Sequence, residues 1–136
     1  HKRFIENSRV DPFISKYMKW TGHTEFGPNY IPIHNKNLNF NNNLDINHWL
    51  EQWYLTYNNI IDLSRKHKNI QLIGYESLCH NPKVWISIKE MLGINQENDF
   101  LFIESKKIIV NSFDNNLSSK CSTLYDSLNS MASKTL

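Results

Sequence analysis

A histidine and a glutamate two positions apart, His23 and Glu25, stand in a stretch bracketed by Gly22 and Gly27. An imidazole titrates near neutrality, so it can take a proton from a hydroxyl or an amine, and a neighbouring carboxylate can supply the orientation that the transfer needs. Loops also carry such residues merely to bond their own backbone. The pair is therefore either a general base with its orienting carboxylate or an ordinary polar loop.

Spacing removes several other chemistries. His-x-Glu opens the signature of the zinc deaminases, but no Pro-Cys-x-x-Cys follows it. No two of His34, His48, His67 and His80 lie four residues apart, so no helix offers two imidazoles to one metal, and no metal is expected. Cys79 and Cys121 fit no metal spacing and are too few for a disulfide framework; both read as reduced, partly buried small residues. The glycines Gly22, Gly27, Gly74 and Gly93 are scattered and no Gly-Lys-Ser/Thr occurs, which leaves no Gly-rich cradle for phosphate.

Fifteen Lys plus Arg against thirteen Asp plus Glu give a formal charge of +2, too even for a nucleic acid or an anionic membrane as principal partner. A small acidic ligand remains compatible with it. Lysine and aromatics do interleave at Lys16-Tyr17-Met18-Lys19-Trp20, but the charge balance argues against a nucleic-acid binder. No run approaches the roughly 18 apolar residues of a membrane span, and the first residues lack a signal peptide's apolar run. The chain reads as soluble, in the cytoplasm.

The elements that must position these groups follow from periodicity and punctuation. The 136 residues, 40% hydrophobic, suit one ordinary domain. Asp11-Pro12 opens a helix with Phe13, Ile14, Tyr17 and Met18 on one face, stopping near Gly22. Residues 23–44, with Pro28, Pro32, Gly27 and the run Asn41-Asn42-Asn43, predict a long irregular loop. Behind Asp45, the spacing of Ile46, Trp49, Leu50, Trp53, Tyr54 and Tyr57 predicts a half-buried helix to about Arg65.

After a polar break, residues 70–75 form an apolar run of strand length. Asn81-Pro82 starts a helix that Gly93 ends; residues 100–110 are ambiguous, and a last helix starts near Asp114, with a fraying tail from Ser133. A single strand cannot satisfy its own hydrogen bonds, so this reading expects the rest of a sheet upstream of the chain.

The run Ile70-Gln71-Leu72-Ile73-Gly74-Tyr75-Glu76-Ser77-Leu78-Cys79-His80-Asn81-Pro82, continuing through Val84-Trp85 to Met91-Leu92-Gly93-Ile94, resembles the sulfotransferases. The shared pattern is a strand ending in Tyr-Glu-x-Leu, two further residues, an Asn-Pro or Asp-Pro helix start and a terminal Leu-Gly. The helix with Trp49, Trp53 and Tyr57 is similar to the aromatic helix before that strand; residues 11–27 are similar to a segment of one branch, and residues 117–128 to the closing helix.

The resemblance implies that residues 1–136 are the C-terminal portion of a single three-layer, P-loop-like α/β domain, mostly helical here with about one core strand. It implies transfer of a sulfo group from 3′-phosphoadenosine 5′-phosphosulfate to a hydroxyl or amine of a small-molecule, lipid or carbohydrate acceptor. Tyr75 would lie beside the donor's adenine, the alternative being a tyrosine that merely packs the strand end.

Arg9 and Ser15, around Asp11-Pro12, are an imperfect echo of the family's Arg-x-Pro motif with its serine. The arginine is one place too far from the proline, and the alternative is an ordinary surface residue and an ordinary capping residue. His23 and Glu25 would serve the acceptor side, although the better-known branches carry the catalytic histidine upstream of this region. With the main phosphate-binding segments missing, the piece alone is expected to be inactive. The rival from another class is a helical interaction module without chemistry, docking a partner through the aromatic helix around Trp53.

Overall fold

A computed structural model describes residues 1–95, 100–104 and 112–133. These contain six helices: α1 (Lys2–Val10), α2 (Pro12–Trp20), α3 (Ile46–Lys66), α4 (Tyr75–His80), α5 (Pro82–Leu92) and α6 (Asn115–Ser133). Among the described residues there is no strand, so the fold is a small all-helical one and the expected α/β domain with a core strand is overturned. No helix among them is long and apolar enough to cross a membrane.

The correction falls on residues 70–75. Residues 70–74 are irregular: the Ile70 N–H donates to the His67 carbonyl at 3.1 Å, closing a turn, and Tyr75 already begins α4. Ile70 and Ile73 are 36% and 39% exposed, not buried. A strand forms only where another segment takes its N–H and C=O groups, and no described residue of this chain does so. Most of the ambiguous stretch, residues 105–110, and the tail beyond Ser133 lie outside the described residues.

The chain divides into two compact units, His1–Tyr57 with Phe113–Ser118, and Asn58–Ser112 with Ser119–Leu136. In the first, Asp11 both ends α1 and starts α2. Its N–H donates to the Asn7 carbonyl at 2.8 Å while its side chain accepts from the Phe13 N–H at 2.9 Å, with Pro12 at the first helical position. Helix α2 buries Met18, which is 3% exposed. The following loop passes close over it at Gly27, whose φ is +82° and where a Cβ would meet the Met18 Cε at 2.9 Å. Only glycine suits both the left-handed backbone and that approach.

Helix α3 then holds the loop with polar side chains on its inner face. His48, Glu51 and Gln52 are only 2%, 4% and 7% exposed. Gln52 accepts from the His34 N–H at 2.9 Å and donates to the His34 carbonyl at 2.7 Å, so one amide satisfies both backbone groups of one residue. Glu51 accepts from the Asn39 and Phe40 N–H groups, both at 3.0 Å, and from the Asn39 side-chain amide at 2.9 Å. A loop without secondary structure must find such partners for its buried backbone.

In the second unit Asn81 repeats the role of Asp11. Its N–H closes α4 on the Ser77 carbonyl at 2.9 Å, and its side chain accepts from the Lys83 N–H at 3.1 Å to open α5 behind Pro82. Gly93, at φ +65°, ends α5, with the Ile94 N–H returning to the Lys89 carbonyl at 2.9 Å. Ile61, Val84, Ile88, Cys121, Leu124 and Ala132 are the buried side chains of this unit. Asn81→Ala removes a cap at an exposed helix start and should lower unfolding free energy by about 1 kcal/mol in urea denaturation. An unchanged midpoint would mean that the cap contributes nothing net.

Candidate functional site

His23 and Glu25 are brought together by the turn that follows α2. The His23 N–H donates to the Met18 carbonyl at 2.9 Å, and the Ile31 N–H donates to the Thr24 carbonyl at 2.8 Å, closing the loop on itself. Within it the His23 Nδ1 lies 2.5 Å from the Glu25 Oε1. The Glu25 carboxyl is held below the usual carboxylate range by its own backbone N–H and then by His23, so it is ionised at neutral pH. A carboxylate only accepts, so Nδ1 carries a proton, and in this tautomer a neutral ring keeps its lone pair on Nε2.

Both side chains are about half exposed, 46% and 55%, which makes the pair accessible to a substrate and of little weight in folding. Each lines a different concavity of about 400 Å³. His23 shares one with Lys19, Thr24 and Tyr30, and Glu25 shares the other with His1, Phe4, Phe26 and Trp49. The His23 ring also stacks on Phe26, with centroids 6.3 Å apart at 24°. The geometry fits a base with an orienting carboxylate, and it equally fits a polar loop, since the Glu25 carboxyl is also bonded by its own backbone.

Of the other candidates in this unit, Arg9 is exposed in the last turn of α1 and Ser15 is half-buried on α2. The cap expected of Ser15 is supplied by Asp11 instead. Tyr75 belongs to the second unit. It stands at the first position of α4 and not at the end of a strand, 49% exposed, with its hydroxyl donating to the Ile103 carbonyl at 3.0 Å and its ring edge-on to Phe102. A cavity of about 680 Å³ is lined by its neighbours Gly74, Glu76, Ser77, His80, Asn81 and Lys83.

Sequence reasoning missed the buried polar face of α3. His48 Nδ1 donates to the Phe40 carbonyl at 2.7 Å, and its Nε2 is hydrogen-bonded to the Tyr30 hydroxyl at 2.8 Å. Burial pushes the Tyr30 hydroxyl's pKa up. Trp49 Nε1 donates to the Asn43 carbonyl at 2.9 Å. A signal was present, since His48, Glu51 and Gln52 fall at i, i+3 and i+4 beside the apolar stripe.

Trp53, expected to dock a partner, is half-buried and tilted against Tyr57 at 4.8 Å. Phe13, Tyr17 and Trp20 on α2 are exposed, as are Phe4, Tyr57, Tyr75, Phe100, Phe113 and Tyr125. Among the described residues no group of three or more His, Cys, Asp or Glu is placed to hold a metal ion. Set against known proteins, the chain matches no family model, no curated protein and no solved structure.

Proposed function

We propose that the chain serves sulfo transfer to a hydroxyl or amine acceptor, with His23 as general base and Glu25 as the carboxylate that orients it. The observation that carries the reading is the 2.5 Å contact between His23 Nδ1 and Glu25, in half-exposed side chains that each line a concavity. As the acceptor's O–H or N–H bond breaks, its proton passes to the His23 Nε2 and the electron pair left behind becomes available to sulfur. Glu25 stabilises the imidazolium so formed.

The donor, 3′-phosphoadenosine 5′-phosphosulfate, supplies an electrophilic sulfur on a phosphate leaving group; its assignment rests on the resemblance alone. The residues of this chain do not fit a cradle for its phosphates. The glycines are scattered, and Arg9 is exposed at the end of α1. No donor-binding step is therefore assigned to them.

The test is to express the whole reading frame that encodes this chain and supply donor labelled in its sulfo group. Pooled phenols, amines and sugars serve as acceptors. Label appearing on one of these classes, at a rate proportional to protein, is the expected result. Donor and acceptors all returned unchanged would end the proposal.

A further inference from the structure

The charge of the chain is unevenly placed. Residues 1–20 carry Lys2, Arg3, Arg9, Lys16 and Lys19 against Glu6 and Asp11, that is five minus two, or +3, whereas the whole chain carries +2. The remaining residues together are therefore slightly acidic. Within this basic segment α2 turns Ile14 and Met18 inward and leaves Phe13, Tyr17 and Trp20 outward, 58%, 51% and 67% exposed, with Val10 beside its start at 87%. Phe13, Tyr17 and Trp20 recur at i, i+4 and i+7, so they form one stripe along the helix.

Lys16 stands on the edge of the same stripe, its Nζ 4.9 Å from the centre of the Trp20 ring. An apolar Phe13 beside Tyr17 and Trp20, whose rings carry polar tips, flanked by long basic side chains, suits the boundary between headgroups and acyl chains.

We infer that the exposed face of α2 lies on an anionic lipid surface, with Phe13, Tyr17 and Trp20 seated at the level of the headgroups and Lys16 and Lys19 paired with their charges. The helix is too short to cross a bilayer and needs only to lie in its surface. Charge complementarity selects the lipid: Lys16 and Lys19 flank the stripe, against Asp11 at its start, and each lysine near a negatively charged leaflet adds to the attraction. A second copy of this chain is the occupant that the experiment must exclude.

The chain is mixed with vesicles of phosphatidylcholine alone, or with about a third phosphatidylserine, at near-physiological salt, and bound protein is measured by sedimentation. Binding to the serine-containing vesicles is expected to be at least about tenfold stronger, and to weaken about fivefold for each lysine removed in Lys16→Gln and Lys19→Gln. Trp20→Ala should weaken it too, while the Trp20 emission shift on binding disappears against the background of Trp49, Trp53 and Trp85. All three side chains point outward, so the far-ultraviolet dichroism of the variants should match the parent. Equal binding to both vesicles, or none to either, overturns the inference. So does an equilibrium sedimentation profile in which the chain is a dimer that Trp20→Ala dissociates, since that gives the face to a second copy.

Discussion

His23→Ala should slow the proposed sulfo transfer by about 10²–10⁴-fold, the usual contribution of a positioned general base. The loss should fall on kcat far more than on the acceptor's KM, because the imidazole is asked to act on the proton in transit and not to hold the acceptor in the ground state. Glu25→Gln should lie between the parent and His23→Ala, since an amide can still bond Nδ1 but no longer stabilises the imidazolium. Because His23 is about half exposed, added imidazole should reach the space left in His23→Ala and restore part of the rate. A merely structural histidine would show no such rescue. A loss under about threefold, or a loss that imidazole leaves untouched while thermal stability drops, would remove His23 from the chemistry.

The parts of the fold that were legible in the sequence are those with local causes. Asp11-Pro12 and Asn81-Pro82 announce helix starts because a short acceptor side chain and a proline each suit one specific position there, and Gly93 announces an end because few other residues adopt its φ of +65°. The long helices α3 and α6 followed from apolar period. Residues 70–75 misled because a short apolar run has no period to distinguish strand from anything else, and what decides it is a partner elsewhere in the chain. Helix α1 went unread since it offers little apolar pattern: Ile5 and Ser8 are half-buried, and its other described side chains are exposed.

The candidate site divides along the same line. His23 and Glu25 could be named from their types, and their contact, two residues apart, sits in a loop that the Ile31 N–H closes on the Thr24 carbonyl. Further along, the loop is tied down by side chains whose polarity argued for the solvent face. Nothing in the composition of the Asn-rich loop says that His34, Asn39 and Phe40 lend their backbone to Gln52 and Glu51. The loop that carries the candidate base is thus anchored, downstream, by a buried carboxylate and a buried amide.

Glu51→Ala should therefore lower the unfolding free energy by about 2–3 kcal/mol, the scale expected when hydrogen bonds to a charged, buried group are lost together. The side chain is 4% exposed and accepts three hydrogen bonds from Asn39 and Phe40, so truncation strips two backbone N–H groups of their acceptor. Glu51→Gln should cost less, because it keeps the volume and one acceptor oxygen.

The two variants also carry a pH signature. Burial pushes the Glu51 carboxyl upward, but the Asn39 and Phe40 N–H groups, the Asn39 amide and the nearby His48 outweigh it, and the net pKa is lowered. A folded-state pKa below the unfolded value, about 4.3 for glutamate, stabilises the fold above that value and is lost as pH falls through the folded one. The stability difference between parent and Glu51→Gln, which has no proton to take up, should be constant near neutrality and shrink below about pH 4. Amide exchange at Asn39 and Phe40 should quicken in Glu51→Ala well before exchange in the middle of α3 does. A difference that stays flat from neutral pH down to about 3 would show that folding leaves the Glu51 pKa unmoved, and the net stabilisation of its charged form by Asn39, Phe40 and His48 would be refuted.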